Sequence, residues 1–433
     1  MLDAGVIYDR YYKRINQIEK QKGCDSDHMV VVIFRYIKRE GRFAISSAED
    51  LKQQIITISQ RIGIDKIGFT TADNFESLRE SLVAQKAAGH TSGFEHPNID
   101  ERLNPGLIFD QPQSIIAIAL AYPSRLKSRP PRTRFKRGQF ARASWGEDYH
   151  HVLRAKMNRL IDEIQAIASD DARFKPMVDT GELVDVAVAN RAGLGFIGKN
   201  GLLITQEYGS YVYLGEIITN LKIAPDSPIP CQCGDCTRCI DACPVKALLG
   251  DGRMNAQRCL SYQTQTKGMM NAEFRPKIRN VIYGCDICQQ VCPFNKGKDF
   301  HLHPEMEPDA EKVRPELLPM LTMSNREFKD RFGAMAGSWR GKKPLQRNAI
   351  IALANLRDQS ATPKLLAVMK EDPRPMIRAT AAYAIGEVVR KYDQKVVDQL
   401  DNQLRQEMAA QQTDDILAEY RKAIAKINRL IVE

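Results

Sequence analysis

Five of the chain's ten cysteines fall between Cys231 and Cys243, in the stretch CQCGDCTRCIDACPVKAL. Cys233, Cys236, Cys239 and Cys243 spell C-x2-C-x2-C-x3-C, with Pro244 directly after. In bacterial two-cluster ferredoxins the first three thiolates of such a run hold one [4Fe-4S] cube and the fourth ligates the second. Four more ligands are then required. Cys285, Cys288 and Cys292 supply C-x2-C-x3-C before Pro293, and Cys259 stands between the two groups. The expected sets are Cys233, Cys236, Cys239 and Cys292 for the first cluster, and Cys243, Cys259, Cys285 and Cys288 for the second. Two four-thiolate zinc sites are the alternative. The Cys-Pro endings and the interleaved spacing favour iron–sulfur. Cys24 and Cys231 remain as bystanders.

Paired clusters relay electrons and need a substrate site elsewhere in the chain. No GxGxxG follows a strand, and GLGFIGKNG at 193–201 lacks the residue order of a phosphate loop, so a nucleotide cofactor is not supported. The stretch RLKSRPPRTRFKRGQFAR at 125–142 carries eight Lys or Arg and no acid. It reads as a solvated loop or as a contact for phosphates, which reward Lys and Arg by releasing counterions. The net charge of +10 is compatible with both an anionic partner and plain solubility. The apolar run MVVVIF at 29–34 is too short to span a bilayer, and no signal peptide is evident. A cytoplasmic location is expected, where thiols stay reduced and metal binding is the default reading of clustered cysteines.

The elements that position these groups follow from periodicity. Residues 1–44 look like an extension without function. From 45 to 225 strand and helix patterns alternate, which predicts an α/β or α+β domain. SSAEDLKQQIITISQRIG reads as a helix with a Ser cap, acids in its first turn and Gly63 as a stop. IDKIGFT, SIIAIALAYP, FKPMVDT, GLLIT and YVYLGEIIT read as strands, and Tyr149 to Ile167 as a long amphipathic helix. The ferredoxin-like module occupies 226–297. From 298 to 433 the chain turns helical, and RNAIIALANL and RATAAYAIGE recur 31 residues apart, as in a HEAT-type solenoid.

Taken together, VDTGELVDVAVANRAGLGFIGKNGLLIT at 178–205, the double cysteine module, RCLSYQTQ at 258–265 and YGCDICQQVCPFN at 283–295 resemble the epoxyqueuosine reductases, cobalamin-dependent iron–sulfur enzymes of tRNA modification. The resemblance runs from about residue 46 to 430. It implies cob(II)alamin bound in the α/β domain, electrons from an external donor passing through both clusters, and a tRNA anticodon stem-loop with a GUN anticodon as substrate. It implies that Asp179 of the VDT motif donates a proton, as a carboxylic acid whose pKa is raised by partial burial. Asp-Thr-Gly is also ordinary turn chemistry. Arg102, Arg142, Asp179, Lys199, Asn200, Ser261, Gln263, Cys285 and Asp286 match cofactor-binding positions, although ARASWG stands where the family more often has ARYAWG. Lys267, Arg340, Lys342, Lys343, Arg347 and Arg378 are the expected RNA contacts, the solenoid being read as a tRNA-binding domain. A dehalogenase-like corrinoid reductase of a small molecule, a ferredoxin-like electron carrier and an RNA-binding protein with structural clusters are the rival readings. A monomer is expected.

Overall fold

The structure is a computed structural model that describes residues 47–431. The 1–44 extension, with Cys24, lies outside the described residues.

Helix α1 (Ala48–Arg61) begins where Ser47 accepts a hydrogen bond from the Asp50 amide, with Glu49 and Asp50 in its first turn, and it stops before Gly63 in the left-handed region (φ +74°). Strands β1 (Lys66–Thr71), β2 (Ser114–Ala121), β3 (Phe174–Met177) and β4 (Val212–Thr219) form one sheet in the order β1-β2-β4-β3, every neighbour antiparallel. The domain is therefore α+β. Strand β2 is buried at all eight positions because both faces of the sheet are covered. Ile116, Ile118 and Leu120 face a core shared with α1 and α2 (Tyr149–Ile167), while Ile115, Ala117 and Ala119 face one shared with α3 (Asp185–Arg191). Each such Ile or Leu contributes roughly 1.5–3 kcal/mol by leaving water. GLLIT supplies only the two-residue strand Leu203–Ile204, paired with Phe196–Ile197.

The cysteine segment folds around short helices α4 (Arg238–Ala242), α5 (Leu260–Gln265) and α6 (Ile287–Gln290) and strand β5 (Val281–Tyr283). Its attachment to the sheet is polar and buried. Gln289 donates to the hydroxyl of Tyr122 and to the carbonyl and hydroxyl oxygens of Ser210, and Asn295 donates to the Ser210 hydroxyl. Gly209 is required there, since a Cβ would come within 2.1 Å of Asn295 Oδ1.

Helices α7 (Lys342–Asn355), α8 (Thr362–Glu371), α9 (Pro375–Val388), α10 (Gln394–Ala409) and α11 (Asp414–Arg429) form the solenoid, and the two similar stretches lie on α7 and α9. Its core is continuous with Phe140, Trp145 and Ile282. Helix α7 reads the backbone of the cluster module directly. Arg347, fully buried, donates to the carbonyls of Gln263, Thr266 and Gly268, and Asn348 to those of Thr264 and Ile282. A buried Arg275–Glu419 ion pair at 2.7 Å ties the module to α11. Arg347→Met leaves three carbonyls unpaired and is expected to cost about 3 kcal/mol, seen as a melting point several degrees lower. Among the described residues no helix is long and apolar enough to cross a membrane.

Candidate active site between the sheet and the cluster module

The eight expected ligand thiols fall into two electrostatic neighbourhoods. Cys292 bears on Cys233 and Cys239, and Cys236 on Cys239 and Cys292. Cys243 and Cys259 bear on Cys285, and Cys285 and Cys259 on Cys288. Cys239 also bears on Cys288, which places the two sets near one another. Burial pushes Cys285 up to about 12 and Cys288 higher still, so these thiols stay protonated unless a cation takes the proton's place. Backbone amides aim at the sulfurs as they do around iron–sulfur cubes: Ala247 donates to Cys243 at 3.3 Å, Ser261 and Tyr262 to Cys259, Ile287 to Cys285, and Phe294 and Asn295 to Cys292. Among the described residues no three His, Cys, Asp or Glu side chains gather around a single-ion point. Exposed Cys231 sits against Cys233.

Asp179 lies two residues beyond β3, in the left-handed region (φ +52°), which Asp tolerates better than most residues. Its side chain is 59% exposed, with His150, Tyr149 and Asp148 as its charged and polar neighbours. The Tyr149 hydroxyl donates to Oδ2 at 2.8 Å, and Nε2 of His150 stands 3.4 Å from the same oxygen. That distance suits an ion pair better than a hydrogen bond, and the Nε2 atom has no other acceptor. On the far side of the ring, Nδ1 meets Asp148 at 2.7 Å. Asp148 also caps α2, so one residue starts the helix and aims the imidazole. Tyr149 stacks on Tyr213 at 4.5 Å and on His150 at 4.2 Å, fixing both rings.

This geometry reverses one expectation. His150, with Tyr149 assisting, holds the Asp179 carboxyl below its usual range, so it is ionised near neutrality instead of being a raised acid. The proton resides next door. Although burial pulls His150 down, its hydrogen bond to Asp148 and its pairing with the Asp179 carboxylate outweigh that and raise it to about 9. Behind Asp179, Asp185 at the start of α3 meets Glu216, whose Oε1 has no partner, on the buried face of β4. Burial lifts Asp185 to about 6 and Glu216 well above its ordinary value, so the pair retains a proton. Two proton stores therefore flank one exposed carboxylate.

A raised His contributes stability that is complete below its unfolded pKa and disappears as pH rises through the folded one. The melting temperature is thus expected to decline between about pH 6.5 and about 9, by the equivalent of roughly 1–2 kcal/mol after solvent screening. In Asp148→Asn, the decline and the alkaline limb of the activity profile both move to lower pH, as paired titrations of melting and initial rate would show.

The structure does not collect the other expected cofactor residues into one cavity. A cavity of about 910 Å³ is lined by Arg142, Ser124, Tyr211, Arg238, Cys292 and Lys298 among others. Arg142 is committed there to buried Asp286 at 2.9 Å and to the Ser124 carbonyl. Arg102 lies apart, half-buried, with Glu95 and Asp185 as its nearest charges and its pKa lowered by burial. Lys199 donates to the Gly234 carbonyl at 2.7 Å, and Gln263 to that of Gln257 at 2.5 Å. Ser261 Oγ lies 3.4 Å from Gln265 Nε2. Asn200 Nδ2 and Asn255 Oδ1 are a buried donor and a buried acceptor without partners, on segments that meet where Gly201 abuts the Gly252 carbonyl. Such orphaned amide atoms fit a ligand that carries amide arms of its own.

Several expected RNA contacts are corrected. Arg347 is inaccessible, Arg378 is paired with Glu407 inside the solenoid, and Lys342 is half-buried on the Met323 carbonyl. Lys343 is half-buried, and Lys267 is exposed. In the basic loop Lys127 and Arg137 are paired with Glu307 and Glu316, while Arg129, Arg132, Arg134 and Lys136 are exposed and make no ion pair among the described residues. His150 and the Asp185–Glu216 pair were missed by sequence reasoning. The only signal was the Asp148 cap before YHH.

A thiol-rich module docked against an α+β sheet, with an exposed, ionised carboxylate beside a protonated histidine, defines an iron–sulfur oxidoreductase. Family models match in the same places: a 4Fe-4S double cluster binding domain over residues 232–295, Epoxyqueuosine reductase QueG, DUF1730 over 102–180, and HEAT repeats over 340–412. The epoxyqueuosine reductase of Lactococcus garvieae is 58% identical over 344 residues, 79% of this chain and 98% of the relative. That of Bacillus subtilis is 59% identical over 339 residues, 78% of this chain and 88% of the relative. The chain belongs to the epoxyqueuosine reductase family. A crystal structure of epoxyqueuosine reductase with an epoxyqueuosine-modified tRNA-Tyr stem loop superposes with TM-score 0.84 at 54% identity, covering 88% of this chain and all of that one. A Bacillus subtilis structure, with its catalytic aspartate loop swung out of the active site, gives 0.83 at 53%, again covering 88% of this chain and all of that one.

Proposed function

We propose that the protein reduces epoxyqueuosine to queuosine at the wobble position of tRNAs with a GUN anticodon. Two electrons and two protons enter and one water leaves; two C–O bonds break and a C=C bond forms. The observation that carries this reading is Asp179, an exposed carboxylate with His150 and the Asp185–Glu216 pair as neighbouring proton stores. It accepts a proton from His150 and presents it to the departing oxygen. The Asp185–Glu216 pair is placed to supply the second. Deoxygenation needs protons on the leaving oxygen, and a group that is recharged locally delivers them without bulk water.

Cys233, Cys236, Cys239 and Cys292 would hold the outer cluster, facing an external donor, and Cys243, Cys259, Cys285 and Cys288 the inner one. Tyr283, two residues before Cys285, is a charge neighbour of Asp179, which supports this order. Of the expected cofactor residues, Asn200 keeps an unpartnered buried amide that would meet an amide arm of cobalamin, which when bound supplies a strongly reducing metal for C–O cleavage; Arg102, Arg142, Ser261 and Gln263 are not gathered around it. Lys199 and Asp286 brace the site through Gly234 and Arg142. The exposed cations of the basic loop and Lys267 would follow the RNA backbone, a contact weakened by salt. The enzyme is read as acting as a monomer in the cytoplasm.

Complementation tests the reading. In cells that lack this activity and accumulate epoxyqueuosine in tRNA, expression of the chain restores queuosine, measured by nucleoside mass spectrometry. Persistent epoxyqueuosine despite soluble, cluster-loaded protein overturns it.

A further inference from the structure

Large aromatic rings that stand in water mark places where something else lands. Phe94 is 43% exposed and Trp339 51%, and the two meet edge to face with centroids 5.2 Å apart. Tyr262 adds a third ring 5.4 Å from Phe94. The Arg340 guanidinium lies over both exposed rings, 4.9 Å from Phe94 and 4.6 Å from Trp339. Three modules contribute: Phe94 from the α+β domain, Tyr262 from α5 of the cluster module, and Trp339 with Arg340 from the turn before α7. The surface is rigid. Trp339 Nε1 donates to Gln265 Oε1 at 3.0 Å and to the Tyr283 hydroxyl at 3.1 Å, and Arg340 Nε donates to the Gln265 carbonyl. Tyr283 is in turn an electrostatic neighbour of Asp179, so the rings lie towards Asp179.

We propose that Phe94, Trp339 and Arg340 form a stacking platform for an unpaired nucleobase of the substrate RNA, the one beside the modified nucleotide when that nucleotide reaches Asp179. The inference rests on the proposed function. Extruding a nucleotide strips its neighbour of a stacking face, and an aromatic ring backed by a guanidinium replaces that face for any base. The hydrogen bonds that pin the indole remove the ordering cost that a mobile ring would carry. The cation favours a nucleic acid over an apolar peptide, and exposed Lys267 lies two residues beyond Gln265.

The chain's two tryptophans make the test direct, because Trp145 is buried at 2% exposure and Trp339 is the accessible one. Holoprotein is titrated with anticodon stem-loop RNA, either intact or carrying abasic residues on both sides of the wobble position. The intact RNA is expected to quench the exposed tryptophan fluorescence. The abasic RNA should quench little and bind about tenfold more weakly. Trp339→Ala should bind the intact RNA about tenfold more weakly with an unchanged salt dependence, whereas Trp339→Phe retains most of the affinity. Equal quenching and affinity for both RNAs, or unaltered binding by a folded Trp339→Ala, overturns the platform. Abasic-sensitive quenching by a protein that converts no epoxyqueuosine upholds the platform and removes the function reading. Conversion with abasic-insensitive binding does the reverse.

Discussion

Asp179→Asn is expected to lower the rate of epoxyqueuosine conversion by about 10²–10⁴-fold while leaving both clusters in place. Asparagine keeps the shape and tolerates the left-handed backbone at this position (φ +52°), so the turn survives. What is lost is the ability to take a proton from His150 and pass it on. The substitution also removes one of the two carboxylates that hold His150 charged, so the imidazole pKa should fall from about 9. A histidine titration by NMR, read beside the single-turnover rate, separates this from simple damage. An unchanged imidazole pKa with a lost rate would place the function of Asp179 in substrate contact alone. An unchanged rate would remove it from the chemistry.

The second large effect concerns the thiols. Any one of Cys236, Cys292, Cys243 and Cys288 replaced by Ser is expected to abolish turnover, since each electron must pass through both clusters. The informative result is the pattern. Cys236→Ser and Cys292→Ser should erase one cluster signal in the reduced-state EPR spectrum, and Cys243→Ser and Cys288→Ser the other, each leaving about half of the iron. Cys288 and Cys292 are four residues apart on and just beyond α6, and a non-interleaved arrangement would make them partners. The electrostatic neighbours of Cys292 (Cys236, and Cys239 beside it) and of Cys288 (chiefly Cys285 and Cys259) favour separate sets. Loss of the same signal in Cys288→Ser and Cys292→Ser would contradict this.

Local signals in the sequence were sufficient where the chain supplies its own context. The Ser47 cap, the acids after it and Gly63 bound α1 closely, and the unbroken apolar run of β2 marked a strand covered on both faces. The cysteine spacing marked the 4Fe-4S double cluster binding domain because cluster ligands are encoded within a few residues. Long-range pairings were not legible. Nothing in the local pattern distinguishes Arg347, which spends its donors on carbonyls about 80 residues away, from a surface cation. Arg378 is similar, its partner Glu407 lying one helix further on. The ionised state of Asp179 arises from His150 and Tyr149, some 30 residues upstream at the start of α2. Alternating strands and helices suggested a parallel sheet as readily as the antiparallel one observed, because periodicity does not encode strand direction.

Coupling of cluster-borne electrons to protonation at Asp179, to deoxygenate epoxyqueuosine in RNA, is the central expectation for this chain. Its most direct test is anaerobic single turnover of purified, cluster-loaded protein with cobalamin, a strong reductant and epoxyqueuosine-containing tRNA, followed by nucleoside mass spectrometry. The predicted result is stoichiometric queuosine from the native chain and, over the same time, almost none from Asp179→Asn. Reduced clusters with bound cobalamin and intact epoxyqueuosine would contradict it.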